Sequence, residues 1–160
     1  MKRVEKILQH HKYQDCLQKI RELEAERIFC GHDMVHLLDV ARLAYIFNLE
    51  EQLGIEKEQI YAAALLHDIG RHRQYLEGIP HQEAGLLIAD EILAESGFGK
   101  AERFTILEAI HSHRDITVKE KKNLAGLIYR ADKMSRSCAT CVVKQQCNRS
   151  EQKKNQIVEY

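Results

Sequence analysis

The dipeptide His67-Asp68 closes the most apolar stretch of the chain, IYAAALLHD, and restricts the fold more than any other feature. The segment 57–68 is apolar nearly all round, which marks a helix at the centre of a core rather than on its surface. Ending such a helix in an imidazole and a carboxylate costs on the order of several kcal/mol unless something compensates the pair. A divalent cation does so directly, because imidazole nitrogen and carboxylate oxygen suit zinc, iron, manganese and similar ions. The pair alone leaves a second reading open, a capping aspartate beside a hydrogen-bonded core histidine.

Two residues elsewhere weigh on that choice. Asp33 is placed to cap a helix running to about residue 48, on which His36, Val40, Leu43 and Phe47 share one face. His36 therefore lies on a buried stripe, where a histidine by itself is more often a satisfied core residue than a ligand. Asp132 follows the apolar run LAGLIYRA on a helix expected over 121–136. Histidine on one helix, His-Asp on a second and aspartate on another can converge inside a bundle, where metal sites are built.

The remaining pattern is also helical. Residues 3–27 carry apolar positions at helical spacing and predict one or two amphipathic helices, broken near Gly31. Residues 71–80, RHRQYLEGIP, read as a basic loop. Helices are expected over 81–96 and 101–113. One Pro and eight Gly in 160 residues leave few interruptions. The expectation is an all-α, single-domain bundle of about six helices over 1–160, with a motif core at about 30–136 and a cysteine-containing extension over 137–160, whose polar stretch after Cys147 (NRSEQKKN) is expected to fray or form a solvated helix.

Global charge points to no polymer partner. The 24 basic and 24 acidic residues cancel, so attraction for an anion has to be local. Neither nucleic acid nor a membrane is an expected partner. The longest apolar run, 60–66, is too short to cross a bilayer, and MKRVEKILQHHK lacks a signal-peptide core. A cytoplasmic location is expected. Five cysteines, an odd number, argue against a disulfide scaffold.

The order H…HD…D in helical context resembles the HD-domain superfamily of metal-dependent phosphohydrolases. The matching residues are His36 in GHDMVHLLDVARLA, His67-Asp68 in AALLHDIG and Asp132 in YRADKMS. The resemblance covers about residues 30–136 and implies that these four residues hold a divalent ion (Mn, Fe, Zn, Ni, Co or Mg). A dinuclear subset, which includes diadenosine-polyphosphate hydrolases, adds histidines for a second ion. His81 and His113 are the candidates here; by its spacing after the AI of EAIHSHRD, His113 matches better than His111. The implied chemistry is metal-activated attack of water on a phosphate ester or anhydride, with Asp68 and His67 as the catalytic pair and Asp68 bridging two ions where two are bound.

Arg71 and Arg73, just past the dipeptide, and Lys133, beside Asp132, are candidate phosphate clamps, since guanidinium binds phosphate bidentately; Arg136 shares that ambiguity with Lys133. A solvated basic face is the alternative for each. His32-Asp33 repeats the dipeptide, but capping by Asp33 explains it. Cys138, Cys141 and Cys147 form C-x2-C-x5-C, to which Cys30 could add a fourth ligand for a second metal, a zinc or an iron–sulfur cluster; free thiols are the alternative. The common HD pattern does not require this cluster.

The reading is thus a phosphohydrolase acting on a phosphorylated small molecule, a nucleotide above all, with oligomeric state left open. A non-catalytic metal- or redox-responsive binding module would instead show a closed coordination sphere. A di-iron oxygenase would need two irons and access for oxygen.

Overall fold

A computed structural model describes residues 1–160. Nine α-helices and two 3-10 turns account for its regular structure, with no strand. The order is α1 (Lys2–Gln9), α2 (His11–Leu23), α3 (Met34–Glu50), α4 (Lys57–Leu66), α5 (Arg71–Glu77), α6 (His81–Ala84), α7 (Leu86–Ser96), α8 (Lys100–Ser112) and α9 (Leu124–Met134). Seven of these have eight or more residues, one more than the sequence pattern suggests, because the amphipathic 3–27 stretch divides at His10 into α1 and α2.

Helix α4 is the hub. It packs against α3, α8, α1 and α9, while α3 and α8 both lie against α9. Ala62, Ala63 and Ala64 are fully buried in succession. Three small side chains in a row let neighbouring helices close on every side of α4, which is how a helix apolar all round becomes a core helix. Leu37, Val40, Ala41, Ala44 and Phe47 of α3 supply the adjacent layer, and Leu124, Leu127, Ile128 and Ala131 of α9 close it. No helix is long and apolar enough to cross a membrane.

Three local expectations need correction. Residues 71–77, expected in a loop, form α5. Its sequence closes an Arg73–Glu77 ion pair one turn apart at 2.7 Å, and Gly78 ends it in the left-handed conformation at φ 74°. The single helix expected over 81–96 is two, α6 and α7, divided at Gly85. The tail beyond Cys147 folds back on the bundle rather than fraying. Asn155 donates to the carbonyls of Lys133 and Arg136 at 2.8 and 2.7 Å, and Tyr160 meets the Phe47 ring edge-on at 4.9 Å.

Gly70 explains how α6 reaches the centre. A Cβ on Gly70 would lie 2.3 Å from the carbonyl oxygen of His81 and 2.6 Å from the nitrogen of Gly85. No side chain fits there. The turn after Asp68 and the α6 segment touch backbone to backbone, and His81 enters the core beside Asp68.

Candidate metal centre

Nine polar or charged residues are buried, and six of them, His32, His36, His67, Asp68, His81 and His113, meet at one place. Buried polarity is thus concentrated rather than scattered through the core. Each residue arrives from a different part of the bundle. Asp33 caps α3 by accepting from the His36 backbone N–H at 3.0 Å, which fixes His36 in the first turn. His67 and Asp68 follow α4, His81 opens α6, His113 follows α8, and Asp132 stands in the last turn of α9.

The ring nitrogens facing away from the centre all have partners. His67 Nδ1 donates to the Ala64 carbonyl at 2.7 Å and His113 Nδ1 to the Ile110 carbonyl at 2.6 Å. His81 Nδ1 donates to Gln74 Oε1 at 2.5 Å. His36 Nδ1 donates to Ser135 Oγ at 3.2 Å, and that hydroxyl in turn donates to the Asp132 carbonyl at 2.9 Å. With Nδ1 engaged as a donor in all four rings, each Nε2 is turned inward, where a cation can take the place of any proton it carries, the arrangement that outer partners impose on metal-ligating histidines.

The two oxygens of Asp68 serve different neighbours. Oδ2 faces His67 Nε2 at 3.1 Å and His36 Nε2 at 3.5 Å. Oδ1 faces His81 Nε2 at 3.1 Å and His113 Nε2 at 3.9 Å, and accepts from Arg71 Nε at 2.9 Å. Asp132 completes the first group, its Oδ1 being 3.5 Å from His36 Nε2 and 3.8 Å from His67 Nε2, while Lys133 donates to its Oδ2 at 2.5 Å.

Electrostatics follows from this packing. Burial works against the Asp68 carboxylate, but the charges of His67 and Arg71 hold it well below the usual carboxylate range. Asp132 is likewise held low against its burial, by His67 and Lys133. Burial alone would push His67 down; Asp68 and Asp132 together raise it to about 10. Burial dominates at His113, which is pushed down to about 3, helped by the charge of His67. His36 and His81 are also lowered by burial, with Asp68 opposing.

These residues fit a cation. His36 Nε2, His67 Nε2 and Asp68 Oδ2 are buried with no hydrogen-bond partner, a costly arrangement for a packed interior. Three trios, His36–His67–Asp68, His67–His113–Asp132 and Asp68–His81–His113, each bring their ligand atoms within 4.8 Å of one another. Nitrogen and carboxylate donors without thiolate suit first-row divalent ions.

The model of the HD domain matches residues 34–137, which takes in all six of the ligand-bearing positions from His36 to Asp132. The chain belongs to the HD domain family. A protein of Clostridium beijerinckii described as uncharacterized is 42% identical to it over 160 residues, the whole of both chains. The crystal structure of a predicted HD superfamily hydrolase from an uncultured Thermotogales bacterium matches 89% of this chain and 81% of its own, with a TM-score of 0.63 and 24% identity. That likeness speaks for the HD fold.

Around the HD centre, the candidate residues separate. Arg71 reaches it, but as the partner of Asp68. Arg73 turns outward to Glu77, with contacts down to 2.7 Å. Lys133 is committed to Asp132. His111 is exposed. The cysteines do not assemble: all five are free, Cys138 is buried, Cys30, Cys141 and Cys147 are half-buried, and none joins a ligand trio.

Sequence reasoning missed His32. Its Nδ1 lies 2.5 Å from Glu24 Oε1 and its Nε2 3.9 Å from Asp68 Oδ2. The signal was the HD-like dipeptide itself, which capping by Asp33 explains only in half. Gln74 and Ser135, which orient His81 and His36, had no signal in sequence, since nothing in their spacing ties them to the rings they hold.

Proposed function

We propose that this HD domain is a metal-dependent phosphohydrolase that cleaves a phosphate ester or anhydride of a small molecule, with nucleotides as the leading substrate class. One observation carries the reading: four imidazoles with Nδ1 already engaged point Nε2 at two ionised carboxylates, and Asp68 offers one oxygen to each histidine group. This donor set supports two neighbouring sites, His36, His67, Asp68 and Asp132 for one ion and Asp68, His81 and His113 for another. Divalent ions held there supply Lewis acidity toward a phosphoryl oxygen and lower the pKa of water.

The chain's own groups do the rest. Asp68, ionised because His67 and Arg71 hold its pKa low, is available as a ligand shared by both ions and to orient the attacking water. Lys133 fixes Asp132 by one oxygen and leaves the other toward His36 and His67. A balanced net charge of zero favours a small substrate over a polyanion that needs a broad basic face. A cytoplasmic setting belongs to this reading, and five free thiols agree with a reducing compartment.

The test is reconstitution of chelator-stripped protein with Mn, Co, Ni, Fe or Zn and a screen of phosphate esters and nucleotides, with Asp68→Ala in parallel. Metal-dependent phosphate release lost in Asp68→Ala is expected. Metal uptake by wild type with no release from any substrate would turn the reading toward a binding module.

A further inference from the structure

Four cations flank the centre, and three are already neutralised. Arg71 belongs to Asp68 at 2.9 Å, Lys133 to Asp132 at 2.5 Å and Arg73 to Glu77 at 2.7 Å. The fourth, Arg136, makes no ion pair and donates no hydrogen bond, although it is half-buried. Arg114 also lacks an acid, but it is exposed.

The position of Arg136 is fixed from both sides. It lies four residues past Asp132 and just beyond the end of α9, directly after the C-cap residue Ser135. Asn155 Nδ2 donates to its carbonyl at 2.7 Å, and its neighbour Ser135 holds His36. With Ser135 it lines a cleft of about 870 Å³ between α3, the end of α9 and the returning tail. The other cations of that cleft, Arg42, Lys119 and Lys154, are each paired with an acid, Asp39 at 3.5 Å, Glu120 at 3.6 Å and Glu151 at 2.6 Å.

We infer that Arg136 is the residue that receives the substrate's phosphate, in place of Arg71, Arg73 and Lys133, because it is a half-buried guanidinium beside the HD centre with no acid of its own. Burial lowers its pKa, while Cys30 and the charges of Asp132, Asp68 and Asp33 pull the other way, so the guanidinium is close enough to feel the carboxylates of the centre. A half-buried charge without a partner is costly, and an anion relieves that cost. The planar fork of arginine fits two oxygens of one phosphoryl group. This rests on the proposed hydrolase reading and adds the group that orients the substrate.

The experiment is calorimetric titration of inorganic phosphate into manganese-loaded wild type, Arg136→Met and Arg136→Lys, with metal content and circular dichroism measured on each. Arg136→Met should bind phosphate roughly 10- to 100-fold more weakly with manganese content unchanged, and Arg136→Lys, which keeps the charge and loses the fork, should fall between. Manganese-loaded Arg136→Met that binds phosphate as tightly as wild type overturns the role of Arg136 and leaves the hydrolase reading standing. Wild type that takes up no manganese overturns both. Should Arg136→Met lose its helical signal, Arg136→Lys decides alone, and equal affinity to wild type counts against the inference.

Discussion

His81 and His113 face each other Nε2 to Nε2 at 3.0 Å, and each has already spent its Nδ1 proton on another partner. Two lone pairs that close need a positive charge between or beside them, and Asp68 Oδ1 lies 3.1 Å from the His81 nitrogen. His113→Ala should therefore lower bound metal from about two ions per chain to about one, leaving the His36–His67–Asp132 side loaded. Elemental analysis after dialysis measures this. An unchanged stoichiometry would place the second ion elsewhere.

Ser135 joins two ligand segments through one hydroxyl, accepting from His36 and donating to the Asp132 carbonyl. Ser135→Ala frees the His36 ring to rotate or change tautomer. Metal affinity should fall roughly 10- to 100-fold while the helical content stays constant. Competition against a fluorescent chelator would read the loss, and equal affinity would show that His36 is held by packing alone.

Protonation of the histidines should destabilise the metal-free protein. His113 is pushed down to about 3 from an ordinary value of 6.5, and His36 and His81 are also lowered. Below about pH 6.5 the unfolded chain binds protons that the native rings refuse, so stability falls as pH drops. Asp68 and Asp132, held low, continue the loss below the carboxylate range. His67, raised to about 10, stabilises fully below 6.5 and loses that contribution only as pH climbs toward 10. Melting of chelator-treated protein should drop steadily from about pH 7 to about pH 4. A flat profile over that interval would contradict the burial of neutral rings.

Much of the centre was legible because its ligands sit on apolar periodic helices, where an ionisable residue stands out. His36 on the α3 stripe and His67-Asp68 after IYAAALL are of this kind. What was not legible depends on contacts between segments. Residues 71–77 read as a loop because the Arg73–Glu77 pair and the stop at Gly78 carry less signal than an apolar stripe. His32 was hidden by the capping role of its neighbour Asp33. Arg136, Lys133 and Arg71 are indistinguishable in sequence; only the acids that occupy two of them separate the three.

Gly70 should tolerate no substitution. A Cβ there would lie 2.3 Å from the His81 carbonyl, and backbone cannot yield as a flexible side chain does. Gly70→Ala should destabilise by about 1–3 kcal/mol and, by moving His81, weaken the second metal site. Gly85→Ala, whose closest approach is 3.0 Å, should be milder. Thermal melts of the two variants rank them, and the reverse order would mean that α6 shifts without resistance.

Asn155 closes the carbonyls of Lys133 and Arg136 from some twenty residues further along the chain. Synthesis runs from the N-terminus, so His36, His67, His81, His113 and Asp132 all leave the ribosome before the amide that finishes the end of their last helix. Until Asn155 emerges, those carbonyls are open to water and the segment carrying Arg136 lacks this anchor. The ligands can gather early, but the cleft beside them takes its final shape last.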